Sequence, residues 1–241
     1  MDLLLLSNST NHGSTMFAHA AAAFAEVAAG DVVTFIPFAL ADWDDYADRV
    51  TAAFATFGVE VTSAHRSPDP ARAILGADVV MMGGGNTFRL LDTLYGLGVV
   101  QALSDRVRAG HTRYLGASAG TNVACPSIRT TNDMPICLPP SFGSLGLVPF
   151  QINLHYVDAD PASTFMGETR DERIAEFLEE NHCPVLALYE GSWLRVSDDG
   201  RAVVTGPSRL FQRSGARAVH DGLDVSHLLD LVPHFGDGRR P

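Results

Sequence analysis

The chain has 241 residues and a formal net charge of −11, and 46% of its residues are hydrophobic while 19% are charged. This composition is typical of a soluble globular protein. The negative charge disfavours nucleic acid and anionic membranes as partners, because both would repel the chain. The three cysteines form no C-x-x-C pair. We therefore expect one reduced, cytoplasmic domain over residues 1–241, with a tail at 220–241 and no structural zinc.

The first predicted element is a buried strand over residues 2–7, DLLLLS. Its four leucines follow an acid without a basic flank, a pattern too short for a signal peptide. No run approaches the roughly 20 apolar residues of a membrane span, so no membrane partner is expected. A helix over 15–28, a strand over 31–38 and a helix over 44–58 that ends at a glycine are predicted next.

The alternation of apolar runs and helical patterns continues to residue 118. The predicted elements are, in order, a strand over 59–65, a helix over 70–77, a strand over 78–84, helices over 86–96 and 99–110, and a strand over 112–118. Short apolar runs separated by helices predict an α/β fold with a mostly parallel sheet covered on both faces. Ligands of such sheets bind beyond the carboxyl ends of the strands, which makes the strand-end residues the candidates for function.

The sequence pattern changes after residue 126. The segment 125–150 is rich in Pro, Ser, Thr and Asn and predicts an ordered loop region, which often carries function. A helix over 168–181 and a strand over 184–191 follow, and SWLRVS and RAVVTG are read as two further strands. The apolar stretch VSHLLDLV in the tail either covers the domain or contacts another subunit, so a monomer or a tail-mediated homo-oligomer is expected.

The stretch GASAG (116–120) places Ser118 where a strand turns directly into a helix. A G-x-S-x-G turn holds a serine hydroxyl at the tip of a sheet, beside helix N–H groups that favour negative charge. The same small residues would also let a helix pack closely against a sheet, and the motif is often a chance match. The motif alone therefore leaves a nucleophile and simple packing about equally open.

A second loop, GGGNTF (83–88), also follows a predicted strand. It lacks the lysine of a phosphate-binding loop and the G-x-G-x-x-G spacing. One interpretation is a tight turn capped by Asn86 or Thr87. The other is an oxyanion hole, in which the N–H groups of Gly85 and Ala119 face one developing negative charge.

A serine nucleophile needs a base and an acid that orients the base. Among the nine histidines, His65 and His155 lie at suitable places, and their spacing does not choose between them. Glu190 ends a predicted strand, whereas Asp133 lies in the loop region and is equally a turn former. The residues alone indicate for Arg170 a role in capping its helix or pairing along it.

The sequence resembles the peptidase E family of serine peptidases (family S51), which are α-aspartyl dipeptidases. The resemblance covers nearly the whole chain in order, and the block around Ser118 is highly specific. It is carried by LLLLSNST, IPFA with WDDY (36–46), GGGNTF, G-x-SAG-x-N-x-ACPSIRTTNDMPI (116–136), L-x-PFQIN-x-H (147–155), GETRDERI (167–174) and ALYEGSW (187–193). It implies a three-layer α/β sandwich similar to class I glutamine amidotransferases, which is flavodoxin-like.

The resemblance also implies roles for the candidate residues. Ser118 matches the nucleophile, His155 the base and Glu190 the orienting acid, while Asp133 matches an aspartate proposed for that same role. The amides of Gly85 and Ala119 match the oxyanion donors. The implied reaction is hydrolysis of the bond after an N-terminal aspartate through an acyl-enzyme.

The substrates implied by the resemblance are small acidic peptides, and no cofactor or metal is expected. Arg170 matches an arginine that pairs with the aspartyl side chain of the substrate, and we expect Asn86 to contact the substrate as well. Ala117 stands where a tryptophan is expected before the serine, Thr121 stands where an alanine is expected after it, and the spacing from His155 to Arg170 is one residue longer.

Two alternatives of different kinds stay open. One is a cyanophycinase-like serine peptidase of the same fold that acts on β-aspartyl bonds. The other is a catalytically silent protein that binds aspartyl peptides. A glutamine amidotransferase is disfavoured, because a serine occupies the position where that chemistry uses a cysteine.

Overall fold

The structure of the chain is a computed structural model that describes residues 1–164 and 166–236. Its strands are β1 (Leu3–Leu6), β2 (Val33–Ile36), β3 (Val61–Ser63), β4 (Val79–Met82), β5 (Arg113–Ala117), β6 (Gln151–Tyr156), β7 (Asn181–His182), β8 (Val185–Tyr189), β9 (Trp193–Val196), β10 (Ala202–Thr205), β11 (Ser208–Gln212), β12 (Gly215–Val219) and β13 (His234–Phe235). Its α-helices are α1 (Ala21–Ala28), α2 (Trp43–Ala55), α3 (Pro70–Gly76), α4 (Thr87–Gly96), α5 (Val100–Arg108), α6 (Ala119–Ala124) and α7 (Arg170–Glu180).

The central sheet has seven strands in the order β10-β9-β1-β5-β4-β2-β3. Strands β1 to β5 are mutually parallel, and β9 and β10 extend the sheet from β1 in antiparallel fashion. Leu3 and Leu5 of β1 pack in one apolar cluster with α3, α4 and α5, whereas Leu4 and Leu6 pack in another with α1 and α2. Helices therefore cover both faces, and the predicted α/β fold with a mostly parallel central sheet is confirmed.

The structure also has a second sheet of four strands in the order β12-β11-β8-β6. The sequence analysis does not predict this sheet, and of its strands only β8 corresponds to a predicted strand, the one over 184–191. Strands β6 and β8 are parallel, and their register shifts between Asn153 and Tyr156. Helix α7 covers this sheet through Ile174 and Leu178, which contact Phe211 and its apolar neighbours. The second sheet matters for function because His155 is the penultimate residue of β6 and Glu190 directly follows β8.

Most predicted elements are present with bounds that differ by a few residues. The predicted helix over 15–28 begins as a 3-10 turn, Ala18–Ala20, before α1. In the tail, a 3-10 turn covers Ser226–Asp230, and Val225 and Leu228 are buried in the core of the chain. Residues 237–241 of the predicted tail lie outside the described residues. A role of the tail in oligomerisation stays a prediction.

The carboxyl ends of three neighbouring parallel strands form one edge of the central sheet. Ser7 follows β1, Gly83 follows β4 and Ser118 follows β5. The Ser118 N–H donates to the Leu6 carbonyl at 3.2 Å, and the Gly120 N–H donates to the Gly83 carbonyl at 3.2 Å. These bonds hold the three strand ends together, and the candidate site is built on them.

Candidate active site

Ser118 occupies a sharp turn from β5 into α6. Its backbone has φ +50° and ψ −113°, a conformation that costs an L-residue about 1–3 kcal/mol. A Cβ at Gly116 would lie 2.9 Å from the carbonyl carbon of Gly120, and a Cβ at Gly120 would lie 2.1 Å from the Met82 carbonyl oxygen. The two glycines therefore let the helix start directly against the sheet, and this close packing holds the serine in its strained conformation.

His155 lies beside this serine, with its Nε2 atom 3.0 Å from Ser118 Oγ. The register shift in β6 occurs here, and His155 also has a positive φ of 50°. Such a bulge re-aims a side chain, so the irregular backbone turns the imidazole towards the serine. The His155 N–H donates to the buried Ser7 Oγ at 3.0 Å, which ties the bulge to the end of β1.

Glu190 completes a chain of three polar side chains. Its Oε1 atom lies 2.9 Å from His155 Nδ1, and its side chain is 55% exposed. The next residue, Gly191, donates its N–H to Asn8 Oδ1 at 2.7 Å, which positions the end of β8. A carboxylate at this place accepts a hydrogen bond from the Nδ1–H group and leaves Nε2 as the acceptor for the serine hydroxyl.

The glycine-rich loop passes next to Ser118. A Cβ at Gly84 would lie only 3.1 Å from Ser118 Cβ. Gly85 has φ +134°, which L-residues rarely adopt, and a Cβ there would lie 2.6 Å from the Ala39 carbonyl oxygen. Within the described residues, the N–H groups of Gly85 and Ala119 donate to no protein acceptor, and Gly85 lines the same cavity as Ser118.

Asp133 and Asn86 are engaged in holding the loop region against α4. Asp133 Oδ2 accepts hydrogen bonds from Thr87 N and Thr87 Oγ1, at 2.7 and 2.5 Å. Asn86 caps α4 by accepting from Arg89 N at 3.1 Å, and its amide nitrogen donates to the Met134 carbonyl at 2.8 Å. The acid placed on the histidine in this structure is Glu190, and both polar ends of the Asn86 side chain bind the protein itself.

Arg170 is the first residue of α7, and its guanidinium donates to Asn132 Oδ1 at 2.6 Å. Asn132 in turn donates to the carbonyl of Leu154, the residue before His155, at 2.7 Å. Among the described residues Arg170 forms no ion pair, and burial lowers its pKa, with a smaller contribution from Arg173. A partly buried cation without a carboxylate partner is suited to binding an acidic ligand.

The other candidates from the sequence have structural partners. His65 contacts Ser63 Oγ at 2.7 Å and Asp44 Oδ1 at 3.2 Å, so it belongs to a surface pair rather than to the serine. Cys125 is buried in the core, and burial raises the pKa of its thiol. Within residues 1–164 and 166–236, no group of three or more His, Cys, Asp or Glu side chains could hold a metal ion.

Three supporting residues are missing from the sequence-based candidates: Ser7, Asn8 and Asn132. Ser7 and Asn8 are buried polar residues directly after the buried strand β1. That position, at the carboxyl end of an apolar run, is the signal by which they could have been found. Asn132 has no such local signal, because its role depends on a contact with the distant Arg170.

Ser118, His155 and Glu190 line a cavity of about 250 Å³. Pockets for drug-sized ligands measure roughly 300–1,000 Å³, so this cavity is suited to a smaller substrate. Arg170 lines a separate cavity of about 340 Å³ that is formed by the segments around 157–163 and 167–173. No helix in the described part of the chain has both the length and the apolar character needed to cross a bilayer.

A strained serine, a histidine on its hydroxyl and a carboxylate on the histidine, all at one edge of an α/β sheet, define the class of serine hydrolases. The model of peptidase family S51 matches residues 3–204. The chain is 54% identical over 244 residues to peptidase E of Streptomyces coelicolor, with 100% of both chains covered. It is 44% identical over 232 residues to peptidase E of Salmonella typhimurium, with 94% of this chain and 99% of the relative covered. The chain therefore belongs to peptidase family S51.

The fold is also found in a solved structure. A crystal structure of a peptidase from an acI-B1 Actinobacterium aligns with a TM-score of 0.66 at 12% identity, covering 93% of this chain and 96% of that one. The predictions of the family, of a flavodoxin-like fold and of a serine-type peptidase are confirmed.

Proposed function

We propose that this chain is an α-aspartyl dipeptidase that hydrolyses Asp-Xaa dipeptides through an acyl-enzyme on Ser118. The observation that carries the proposal is the contact chain from Ser118 Oγ to His155 Nε2 at 3.0 Å and from His155 Nδ1 to Glu190 Oε1 at 2.9 Å. Membership of family S51 and relatives named peptidase E support the choice of substrate. The small cavity supports a dipeptide rather than a long chain.

The geometry supports an acyl-transfer mechanism. His155 Nε2 takes the hydroxyl proton of Ser118 while Oγ attacks the main-chain carbonyl carbon of the N-terminal aspartate. The resulting oxyanion lies at the free N–H groups of Gly85 and Ala119, and each such donor is worth about 10²–10³ in rate. The imidazolium, held by Glu190, then protonates the leaving amine. Water activated by His155 hydrolyses the ester in a second, equivalent step.

Arg170 is the proposed partner of the aspartyl side chain. A planar guanidinium binds a carboxylate with two parallel hydrogen bonds, whereas the amide of asparagine leaves its charge unpaired. Since Arg170 lies outside the cavity of Ser118, the substrate side chain must reach it past Asn132, or the segments around 157–163 and 167–169 must move on binding. Asn86 has its polar atoms engaged by the protein, so its contact with the substrate stays a prediction.

Exchange of Arg170 for glutamine is expected to lower the Asp-Leu to Asn-Leu ratio of kcat/KM by about 10–100-fold, since a charged hydrogen bond is worth about 1.5–3 kcal/mol. The rate of Ser118 modification by a small uncharged fluorophosphonate should stay near that of the wild type. Arg173→Gln, one turn along α7, is the matched control and should keep the ratio. An equal loss of aspartyl turnover and of fluorophosphonate reactivity in Arg170→Gln would show that Arg170 acts on the serine rather than on the substrate.

The proposed function is tested by a panel of Asp-Leu, Asn-Leu, Glu-Leu and β-Asp-Leu with the wild-type enzyme and with enzyme inactivated by a fluorophosphonate. Hydrolysis of Asp-Leu alone, lost after inactivation, is the expected result. Preferential hydrolysis of β-Asp-Leu would indicate the β-aspartyl peptidase instead. Binding of Asp-Leu without turnover, together with an unreactive serine, would indicate the silent binding protein.

A further inference from the structure

The cavity of Ser118 contains one permanent cation, Arg49, among the described residues that line it. An Asp-Xaa dipeptide carries two carboxylates, one on the aspartyl side chain and one at the carboxyl terminus. Arg170 is assigned only to the aspartyl side chain. We propose that Arg49 binds the terminal carboxylate of the leaving amino acid and so restricts the enzyme to dipeptides. This inference deepens the proposed dipeptidase function and rests on it.

Arg49 lies on α2 and has a partly engaged guanidinium. Its Nε atom donates to Asp45 Oδ2 at 2.9 Å, one helical turn earlier. The guanidinium carbon lies 5.2 Å from the centre of the Tyr46 ring, and the side chain is 48% exposed. Within the described residues the two terminal nitrogens donate to no acceptor. These two nitrogens are therefore free to bind a carboxylate, which arginine does with paired hydrogen bonds.

Tyr46 connects this guanidinium to the reaction centre through rigid contacts. The tyrosine is buried and packs edge-on against Phe35, with ring centres 5.0 Å apart. A Cβ at Gly83 would lie 2.3 Å from the Tyr46 hydroxyl oxygen, so this ring is packed onto the glycine-rich loop. Burial raises the pKa of Tyr46 to about 12, so the ring stays neutral beside the cation. Arg49 is thus held at a defined place relative to the loop next to Ser118.

The other side chains of the cavity indicate the chemistry of its occupant. Met16 and Leu40 supply apolar surface beside Arg49. One cation with apolar neighbours matches an amino acid that has an apolar side chain and a free carboxylate. A longer peptide would place a neutral amide where the dipeptide ends, and the guanidinium would lose its ionic partner. Extended chain advances about 3.5 Å per residue, so only the first residue after the scissile bond ends near the catalytic serine.

The test compares Asp-Leu with its carboxyl-terminal amide, which differ only in this charge. The wild type should prefer the free acid in kcat/KM by about 10–100-fold. Arg49→Gln should raise KM for Asp-Leu by about that factor, leave the amide unchanged and bring the preference close to one. Arg49→Lys should recover part of the preference, because the charge remains without the planar fork.

The matched control is Arg66→Gln, which removes another surface arginine that contacts α2 through Asp44 and Asp48 and does not line the cavity. It should keep the wild-type preference. If Arg49→Gln still hydrolyses Asp-Leu and keeps the wild-type preference for the free acid over the amide, the role of Arg49 is overturned and the dipeptidase function is not. The role of Arg49 is also overturned by a variant that loses discrimination between Asp-Leu and Asn-Leu, because Arg49 would then bind the aspartyl side chain. A wild type that hydrolyses neither compound would overturn the dipeptidase function itself and this proposal with it.

Discussion

Exchange of Ser118 for alanine will lower kcat for Asp-Leu by about 10⁴–10⁶-fold, because the variant has no atom that can form the acyl-enzyme. His155, Glu190 and the proposed oxyanion donors remain, so some catalysis over water will persist. Steady-state hydrolysis measures the loss. Mass spectrometry after treatment with a fluorophosphonate should show one adduct on the wild type and none on the variant.

Alanine at position 118 carries the same Cβ as serine and meets the same backbone restriction at φ +50°. We therefore expect a thermal unfolding midpoint close to that of the wild type, which separates lost chemistry from lost folding. Ser141→Ala is the matched control, because this exposed loop serine accepts only a local hydrogen bond from Gly143 N at 2.9 Å. Retained hydrolysis or an unchanged adduct in Ser118→Ala would remove Ser118 from the mechanism.

The parallel half of the fold could be predicted from the sequence because its strands are buried on both faces. The segments LLLL of β1 and VVMM of β4 are short apolar runs between helical patterns, and the alternation sets the architecture. Strand β6, QINLHY, alternates polar and apolar residues and pairs with β8 in a separate sheet. Pairing between distant segments depends on packing that a local pattern does not contain, so the second sheet could not be predicted in this way.

The same distinction applies to the site. The turn at Ser118 has a local signature, because Gly116 and Gly120 flank the serine in the sequence and Gly116 is required by a contact with Gly120, although Gly120 itself is required by the distant Met82 carbonyl. No local sequence signature distinguishes His155 from His65 as the base. The choice depends on a bulge in β6 and on Ser7, which lies 148 positions earlier in the chain. Only the family resemblance selected His155 before the fold placed it next to the serine.

Exchange of Glu190 for glutamine will lower kcat by about 10²–10⁴-fold, a far larger effect than that of Asp133→Asn. Glu190 Oε1 lies 2.9 Å from His155 Nδ1 and keeps the proton on that nitrogen. A glutamine amide can present its NH₂ group instead, which stabilises the other tautomer and places a proton on Nε2, where the serine needs an acceptor. The side chain is 55% exposed, so water replaces part of the lost contact and keeps the effect below that of Ser118→Ala.

Asp133→Asn should affect stability more than chemistry. Asp133 accepts two hydrogen bonds from Thr87 at the first turn of α4, where a negative charge is worth about 0.3–1 kcal/mol against the helix dipole. We expect a lower unfolding midpoint and a loss of kcat below about tenfold, since the oxygen of asparagine can still accept from the Thr87 N–H. Both variants are measured for kcat on Asp-Leu and for thermal unfolding. A near-normal kcat in Glu190→Gln with a large loss in Asp133→Asn would transfer the orienting role to Asp133, and the loop that carries Asp133 would then have to leave Thr87 of α4 to bring that carboxylate onto His155.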